Sequence, residues 1–232
     1  MPEIAAADAD LVLLPELFAC GYNIGDDVVQ RAEPLKGLTL ATMSDLARTF
    51  GTAIHYGWAE RDGNRLYNAA LGVSPGGDIL CHQRKLAIPP GSERTHFTPG
   101  TGCDLFEYRG FRIATLICYD AEFPETVRHV AALGADLVLV PTALAAEWPW
   151  VAHTMMPTRA YENGVYLAYA NSAGVENGMT FLGSSVIAGP DGTEVARAGT
   201  EPEILYANLD KTRVSEARQT LPYLEDRHLI RL

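Results

Sequence analysis

A seven-residue phrase occurs twice in this 232-residue chain. Ala9-Asp10-Leu11-Val12-Leu13-Leu14-Pro15 returns 126 residues later as Ala135-Asp136-Leu137-Val138-Leu139-Val140-Pro141, six of seven positions agreeing. An apolar run of this length reads as a strand covered on both faces, because a strand with one wet face alternates apolar with polar residues. Pro then ends the run, since it donates no ladder hydrogen bond. The chain therefore needs sheet interior in two places, with helices or a second sheet to cover it. The likeness fits two related sheets, and it equally fits the general similarity of apolar strands that stop at Pro.

Spacing marks the other elements. Residues 39–50 carry Leu40, Met43, Leu46, Ala47 and Phe50 at helical intervals, with Gly51 where a C-terminal cap belongs. Strands are expected at 53–58, 68–73 and 79–83, the last two joined by the turn Ser74-Pro75-Gly76-Gly77. An irregular stretch over 86–102 precedes a strand at 111–117. Pro124 and Glu125 suit the first turn of a helix running to Leu133, which Gly134 stops. A helix over 156–163, a strand over 166–171, a turn at Pro190-Asp191-Gly192 and a strand over 204–208 follow. The polar residues at the end are expected to pack on a partner or on the surface. Helices and strands alternate but hairpins intervene, so the fold class is α+β with mixed sheets and helices outside. No linker divides the chain, which reads as one domain over 1–232.

Charge and spacing exclude several functions. Eighteen basic against 29 acidic residues give a net charge of -11, and no stretch concentrates the basic ones, so nucleic acid and anionic membrane are poor partners. The longest largely apolar stretch, 137–146, contains Pro141 and is about half the ~20 residues needed to cross a bilayer. The start has no basic-then-apolar leader, and a soluble, cytoplasmic protein is expected. Cys20, Cys81, Cys103 and Cys118 form no CxxC pair, and the six histidines never stand three or four apart. Neither a disulfide framework nor a metal site is expected. No Walker-A run or GxGxxG occurs, no cofactor is expected, and a serine-hydrolase elbow is not expected either.

Three residues stand at the ends of separate strand candidates. Cys118, in Leu116-Ile117-Cys118-Tyr119-Asp120, sits where a strand gives way to a helix whose free N–H groups favour an anionic sulfur. Lys85 is one of three lysines against fifteen arginines, and a compact ammonium with rotatable donors is something Arg does not replace. Glu16 follows the first phrase among apolar neighbours, where desolvation raises a carboxyl group toward the range of a general base. Each residue alone also fits a plain structural part: a buried thiol, a solvated cation, a helix cap or ion pair.

Taken with their surroundings they resemble a family. PELF around Glu16, RKLAIPPGSERTHFTPG around Lys85 and Glu93, and LICYDAEFPE around Cys118 are similar to the nitrilase superfamily of carbon-nitrogen hydrolases. The order Glu, Lys, Cys, the later GADLVLVPTA and the 171–183 segment extend the resemblance over nearly the whole chain. It implies a Glu-Lys-Cys triad on a four-layer αββα sandwich, with a second glutamate, Glu93, eight residues after the lysine. Members usually have a strand and a helix ahead of the glutamate strand. The expected sandwich therefore lacks its first strand and most of its first helix. Cys-Tyr-Asp around Cys118 resembles the amidase and carbamoylase branches more than true nitrilases.

The implied reaction is hydrolysis of a small carboxamide to acid and ammonia through a cysteine thioester. Cys118 would be the nucleophile and Glu16 the base, while Lys85 and the Tyr119 N–H hold the oxyanion. Glu93 would orient Lys85 or share proton transfer. Alternatives with the same triad are an N-carbamoyl amino acid hydrolase and an acyltransferase; a catalytically silent nitrilase-like binding protein is a further one. Tyr22, Trp148 and Asn171 are candidate pocket residues, against the plainer reading of packing. Arg159 and Arg128 would meet a substrate carboxylate or else form helix-surface ion pairs. His129 is expected to face away from Cys118, and Ser184-Ser185 lacks the Lys and Gly pattern of tandem-serine amidases. The partners expected are a small amide and, by resemblance, a second copy of the chain in a homodimer or higher homo-oligomer, with the 124–133 helix as a contact element.

Overall fold

The computed structural model describes residues 8–231, so the expectation of a short amino-terminus bears on residues outside that range. One sheet holds β1 (Leu11–Leu13), β2 (Ala53–Asp62), β3 (Arg65–Val73) and β4 (Ile79–Arg84) in that spatial order. β1 runs parallel to β2, and the remaining pairs are antiparallel. The second sheet contains β5 (Leu105–Tyr108), β6 (Phe111–Thr115), β7 (Leu137–Thr142) and β8 (Tyr166–Asn171). A separate hairpin, β9 (Ala173–Glu176) and β10 (Met179–Leu182), precedes β11 (Val186–Ala188) and β12 (Glu194–Arg197), which complete the second sheet beyond β8. β6, β7 and β8 are parallel. The helices are α1 (Asp27–Arg31), α2 (Leu38–Phe50), α3 (Ser92–His96), α4 (Pro124–Ala132), α5 (Met156–Asn163), α6 (Lys211–Thr220) and α7 (Tyr223–Asp226).

Side-chain alternation shows how four layers arise. In β2 and β3, Ile54, Tyr56, Trp58, Ala69, Leu71 and Val73 pack with Met43 and Ala47 of α2. The intervening His55, Asn68 and Ala70 point the other way, toward the second sheet. In that sheet Ala114, Leu116, Val138, Val140 and Leu167 pack with Val127 and Val130 of α4 and with Met156 and Ala160 of α5. Ile113, Leu137 and Leu139 meet Leu11 and Leu13 across the gap between sheets. The order is helix, sheet, sheet, helix, the αββα sandwich expected.

The two copies of the repeated phrase fall in different sheets and meet different fates. β7 lies between β6 and β8 and is buried throughout, whereas among the described residues β1 keeps three strand residues at the edge of its sheet, all half-buried. An edge strand has one ladder partner, which shortens the pairing that the same letters sustain in the middle of a sheet. Other boundaries shift for local reasons. β2 and β3 run on through a tight turn at Gly63-Asn64, where Gly63 has φ of +57°. β5 and β6 join at Arg109-Gly110, both with positive φ, a hairpin hidden in a stretch with weak apolar spacing. The strand expected over 204–208 is not formed: among the described residues no strand pairs with it, and Ile204 and Tyr206 stay exposed.

One buried polar contact crosses between the sheets. His55 Nε2 lies 2.9 Å from Thr115 Oγ1, while Nδ1 has no partner among the described residues. Burial lowers this imidazole from 6.5 to about 3. The unfolded chain takes a proton on the ring below 6.5 and the folded chain does not, so stability complete above 6.5 drains away as pH falls toward 3. The slope is about 1.4 kcal/mol per pH unit in that window. Thermal melts of the parent and His55→Gln at pH 7 and pH 5 test this: the parent is expected to lose more stability on acidification than the variant. Equal losses would mean the ring takes no proton on unfolding.

Candidate active site

β1, β2 and β4 run in one direction, and β3 runs against them. The residue after β4, the turn after β1 and the start of β3 therefore meet at one end of the first sheet. The carboxyl ends of β6 and β7 face that end, because the Glu16 N–H donates to Thr142 O at 3.4 Å. This brings Glu16, Asn68, Lys85, Cys118 and Ala143 together from positions up to 127 residues apart.

The backbone is shaped for the purpose at two points. Residues 15–17 cross directly over Gly57 of β2, where an added Cβ would stand 2.4 Å from Leu17 N and 2.9 Å from Glu16 Cα. Only glycine lets the chain pass so low, and the crossing turns Glu16 inward until it is 1% exposed. Cys118 opens a 3-10 turn, Cys118–Glu122, with φ of +48°, a conformation that side chains other than glycine rarely adopt. Such strain persists where surrounding structure holds it, and here it carries the thiol out of β6 against Ala70 and Ile117.

Lys85, with no exposed surface, binds two carboxylates. Its Nζ donates to Glu16 Oε1 at 2.7 Å and to both oxygens of Glu93, in the first turn of α3, at 2.8 Å. Asn68 Nδ2 donates to Glu16 Oε1 at 2.7 Å and to Glu93 Oε2 at 3.0 Å. Ala143 N–H donates to Glu16 Oε2 at 3.0 Å, and Tyr22 OH to Glu93 Oε1 at 2.7 Å. Burial raises the Glu16 carboxyl group and Lys85 opposes the rise. Burial alone would lower the Lys85 ammonium, but Glu16, Cys118 and Glu93 outweigh it and hold the group protonated. Burial and the Glu16 charge raise the Cys118 thiol while Lys85 pulls it down; the net direction is upward. A thiol in this setting keeps its proton until a base removes it, and of the two carboxyl groups Glu16 acts on it more strongly than Glu93.

The remaining sequence candidates separate. The Tyr119 N–H donates to no backbone oxygen among the described residues, which leaves it free beside the thiol. Tyr22 enters the cluster through Glu93. Asn171, at the end of β8, has both halves of its amide on backbone: Oδ1 accepts from Leu144 N–H at 2.7 Å and Nδ2 donates to Gly183 O at 2.7 Å. It thereby braces the loop that presents Ala143. Trp148 sits on that loop's outer part, 60% exposed. Arg159 is buried on α5, pairs with Glu162 at 3.0 Å and donates to the Ala121 and Glu122 carbonyls, gripping the Cys118 turn. Arg128 and His129 lie on α4, with His129 exposed. Ser185 Oγ meets the Asn171 backbone, and Ser184 is buried at a left-handed turn.

Gly72-Val73-Ser74-Pro75-Gly76 has the letters of a GxSxG serine elbow, contrary to the expectation of none. It turns the β3–β4 hairpin instead, and Ser74 Oγ accepts from the Gly76 and Asp78 N–H groups. An elbow needs a strand-to-helix turn, which is absent here. Asn68 and Asp120 are site residues that sequence reasoning passed over. The signal for Asn68 is an amide inside an apolar strand, since a buried polar group requires partners. Among the described residues no group of three His, Cys, Asp or Glu side chains is placed to hold a metal ion.

Comparison with known proteins agrees with this arrangement. The carbon-nitrogen hydrolase family model matches residues 2–219. A hydrolase in the pqqF 5' region of Pseudomonas protegens is 41% identical over 226 residues, covering 96% of this chain and 79% of that protein. An (R)-stereoselective amidase of a Pseudomonas species is 36% identical over 226 residues, 97% of this chain and 82% of that enzyme. Among solved structures, a mutant amidase from Nesterenkonia sp. AN1 carries the acetamide moiety of fluoroacetamide covalently on its active-site cysteine. It superposes with a TM-score of 0.88 at 33% identity, covering 98% of this chain and 86% of that one. A mutant of the same amidase in complex with butyramide superposes at 0.85 with 33% identity, covering 99% and 88%. Fold, motifs and family match run along the same stretch of residues, and the chain belongs to the carbon-nitrogen hydrolase family of the nitrilase superfamily.

Proposed function

We propose that this site hydrolyses small carboxamides to the acid and ammonia through a thioester on Cys118. The observation that carries the reading is the Glu16–Lys85–Glu93 cluster, a buried ammonium clamped by two carboxylates at the strand ends where the thiol emerges. Cys118 Sγ attacks the amide carbon as Glu16 takes the thiol proton. The C–N bond breaks as that proton passes to the departing nitrogen, and ammonia leaves. Glu16 then draws a proton from water, whose oxygen attacks the thioester, and the thiol is restored. Lys85 and the Tyr119 N–H hold the oxyanion in both halves, each such donor contributing ~10²-fold to 10³-fold in rate. Glu93 orients Lys85.

Charge favours an uncharged amide over an N-carbamoyl amino acid. Two carboxyl groups, Glu16 and Glu93, face a single ammonium in the cluster, an arrangement that disfavours a substrate carboxylate nearby. Arg159, the buried cation behind the Cys118 turn, is committed to Ala121, Glu122 and Glu162. The bound acetamide moiety and butyramide of the Nesterenkonia amidase are likewise uncharged. Of the three pocket candidates, Tyr22 is assigned to the site through its bond to Glu93, whereas Asn171 braces the loop that presents Ala143 and Trp148 lies exposed on that loop's outer part. No described helix is long and apolar enough to cross a membrane, and four free thiols suit a reducing, cytoplasmic setting. Exposed Leu38, Trp148 and Trp150 are apolar surface of the kind a homodimer covers.

Asp120 ties the two halves of the machinery together. Its Oδ1 accepts from Leu86 and Ala87 N–H at 3.0 and 2.7 Å, and Oδ2 from Ile117 N–H at 3.0 Å. One carboxylate thus holds the segment after Lys85 against the residue before Cys118. Burial pushes it up from 3.8 to about 6. The folded chain keeps this proton more tightly than the unfolded one. Asp120's own contribution to stability is therefore full below 3.8 and is lost as pH rises through about 6. Activity moves oppositely, because only the ionised form accepts all three bonds.

Ammonia release from short aliphatic and aromatic amides and from N-carbamoyl amino acids is the direct measurement. Cys118→Ala is expected to abolish turnover. Lys85→Arg is expected to fail as well, because a planar guanidinium does not fit where one ammonium meets three oxygens within 2.8 Å. Near-parental turnover in either variant would sink the assignment. For Asp120→Asn, an amide nitrogen faces the Ile117 N–H, and the unpaired donor is expected to lower stability by about 1–3 kcal/mol. The acid limb of kcat/KM near pH 6 should move in this variant; an unmoved limb would assign it to Glu16.

A further inference from the structure

We propose that Glu176, at the tip of the β9–β10 hairpin, is a positioning residue for the reaction and acts through Tyr22 on Glu93. The inference rests on the amidase reading above. The hairpin belongs to neither main sheet among the described residues. Its base is tied to the loop after β7, with Leu182 N–H on Leu144 O at 2.9 Å and Ala146 N–H on Thr180 O at 3.0 Å. Its tip reaches across to the loop after Glu16, more than 150 residues away in sequence.

There Glu176 Oε2 accepts two consecutive backbone donors, Tyr22 N–H at 3.0 Å and Asn23 N–H at 2.5 Å. Asn23 Nδ2 donates to the Glu176 and Asn177 carbonyls at 3.1 and 3.2 Å, and Asn177 Nδ2 donates back to Asn23 O at 2.8 Å. The receiving loop is shaped for this carboxylate. Gly21 has φ of +95°, and a Cβ there would fall 2.6 Å from Glu176 Oε1. Charge-assisted bonds from successive N–H groups are strong and directional, so they fix the peptide planes around Tyr22.

The fixed backbone aims the ring. Tyr22 meets Phe181 of β10 edge-on, with centroids 6.2 Å apart, and its hydroxyl donates to Glu93 Oε1. Burial and the Glu16 and Glu93 charges hold the phenol in its protonated, donating form. The chain of contact therefore runs from Glu176 through the Tyr22 backbone and hydroxyl to Glu93, and from Glu93 to the ammonium that faces the oxyanion. A hairpin outside both sheets thereby completes the support of Lys85. Displacement of a catalytic group by about 1 Å is enough to lose ~10²-fold in rate.

The test is a double-mutant cycle in the full chain with Glu176→Ala, Tyr22→Phe and the pair, read as kcat and KM on an amide the parent hydrolyses. Glu176→Ala is expected to lower kcat about tenfold to a hundredfold, with a smaller change in KM. Glu176→Gln, which keeps one oxygen for both N–H groups, should recover most of the loss. In the Tyr22→Phe background, Glu176→Ala should add less than about a twofold loss, because the relay is already cut. Full additivity, or a lower melting temperature with kcat unchanged, would overturn the proposal. If Glu176→Ala does not fold, Glu176→Asp keeps the charge, shortens the reach and reads the same coupling. A parent chain without Cys118-dependent ammonia release would defeat the amidase reading alone. The positioning claim then stands or falls on the pH dependence of Cys118 alkylation by iodoacetamide, followed by peptide mass mapping. Glu176→Ala is expected to shift that profile and Glu176→Gln to restore it; an unshifted profile would overturn the claim.

Discussion

An ammonium with no exposed surface is the constraint around which this end of the molecule is organised. Taking Lys85, Glu16 and Glu93 out of water costs several kcal/mol for each ion, and only close, well-aimed partners return it. Those partners come from the turn after β1, from α3 and from β3, while the lysine follows β4. The first sheet must therefore hold its register for the charges to meet. Removing one partner from such a buried group typically costs about 3–5 kcal/mol, because the other charge is left stranded. Asn68, Tyr22 and Ala143 supply the donors that satisfy the remaining oxygens. The same arrangement that stabilises the ions also leaves an ammonium and a carboxylate beside a thiol.

The interior between the sheets carries the features that a core built for stability alone would avoid. Among the described residues, it and the turn at its end hold an imidazole with one unpartnered nitrogen, a carboxyl group pushed up to about 6 and a thiol-bearing residue at φ of +48°. Small inward residues make room for them: Gly57 lets the Glu16 turn pass, and Ala70 lies against Cys118. The outer faces look different. Ile54, Tyr56, Trp58 and Leu71 beneath α2, and Leu116, Val138, Val140 and Leu167 beneath α4 and α5, form dense apolar layers. Those two helix–sheet layers, with the apolar cluster of Ile113, Leu137 and Leu139 between the sheets, surround the polar groups that hold chemistry.

Much of the fold was legible because burial on both faces leaves long apolar runs. The helices beginning at Leu38, Pro124 and Met156 and the strands at Leu137 and Tyr166 follow from spacing, capping glycines and Pro at a first turn. The turns at Gly63 and Arg109-Gly110 were not legible, since a two-residue hairpin between short polar stretches disturbs periodicity very little. The segment over 204–208 has strand-like letters and no ladder, because a strand is made by its neighbour and not by its own residues. At the site, Glu16, Lys85 and Cys118 were visible as odd residues at strand ends, each with a plain structural alternative. Asn68, Asp120 and Glu176 were not visible. A hydrogen bond between residues dozens to more than 150 positions apart leaves no trace in the spacing of either.

By itself the sequence determined the kinds of layer, the apolar faces that cover them, the acidic balance and the three motifs that bring Glu16, Lys85 and Cys118 to the ends of strands. These properties depend on local residue type and on periods of two or 3.6 residues, which a linear string records. Tertiary structure alone decided that Lys85 is clamped by two carboxylates, that Asp120 joins the lysine segment to the Cys118 turn, and that Glu176 binds the Tyr22 backbone. It also decided which copy of the repeated phrase became a central strand and which an edge. Those outcomes depend on distances of about 3 Å between residues far apart in the chain, and such distances exist only once strand register and sheet packing have been set.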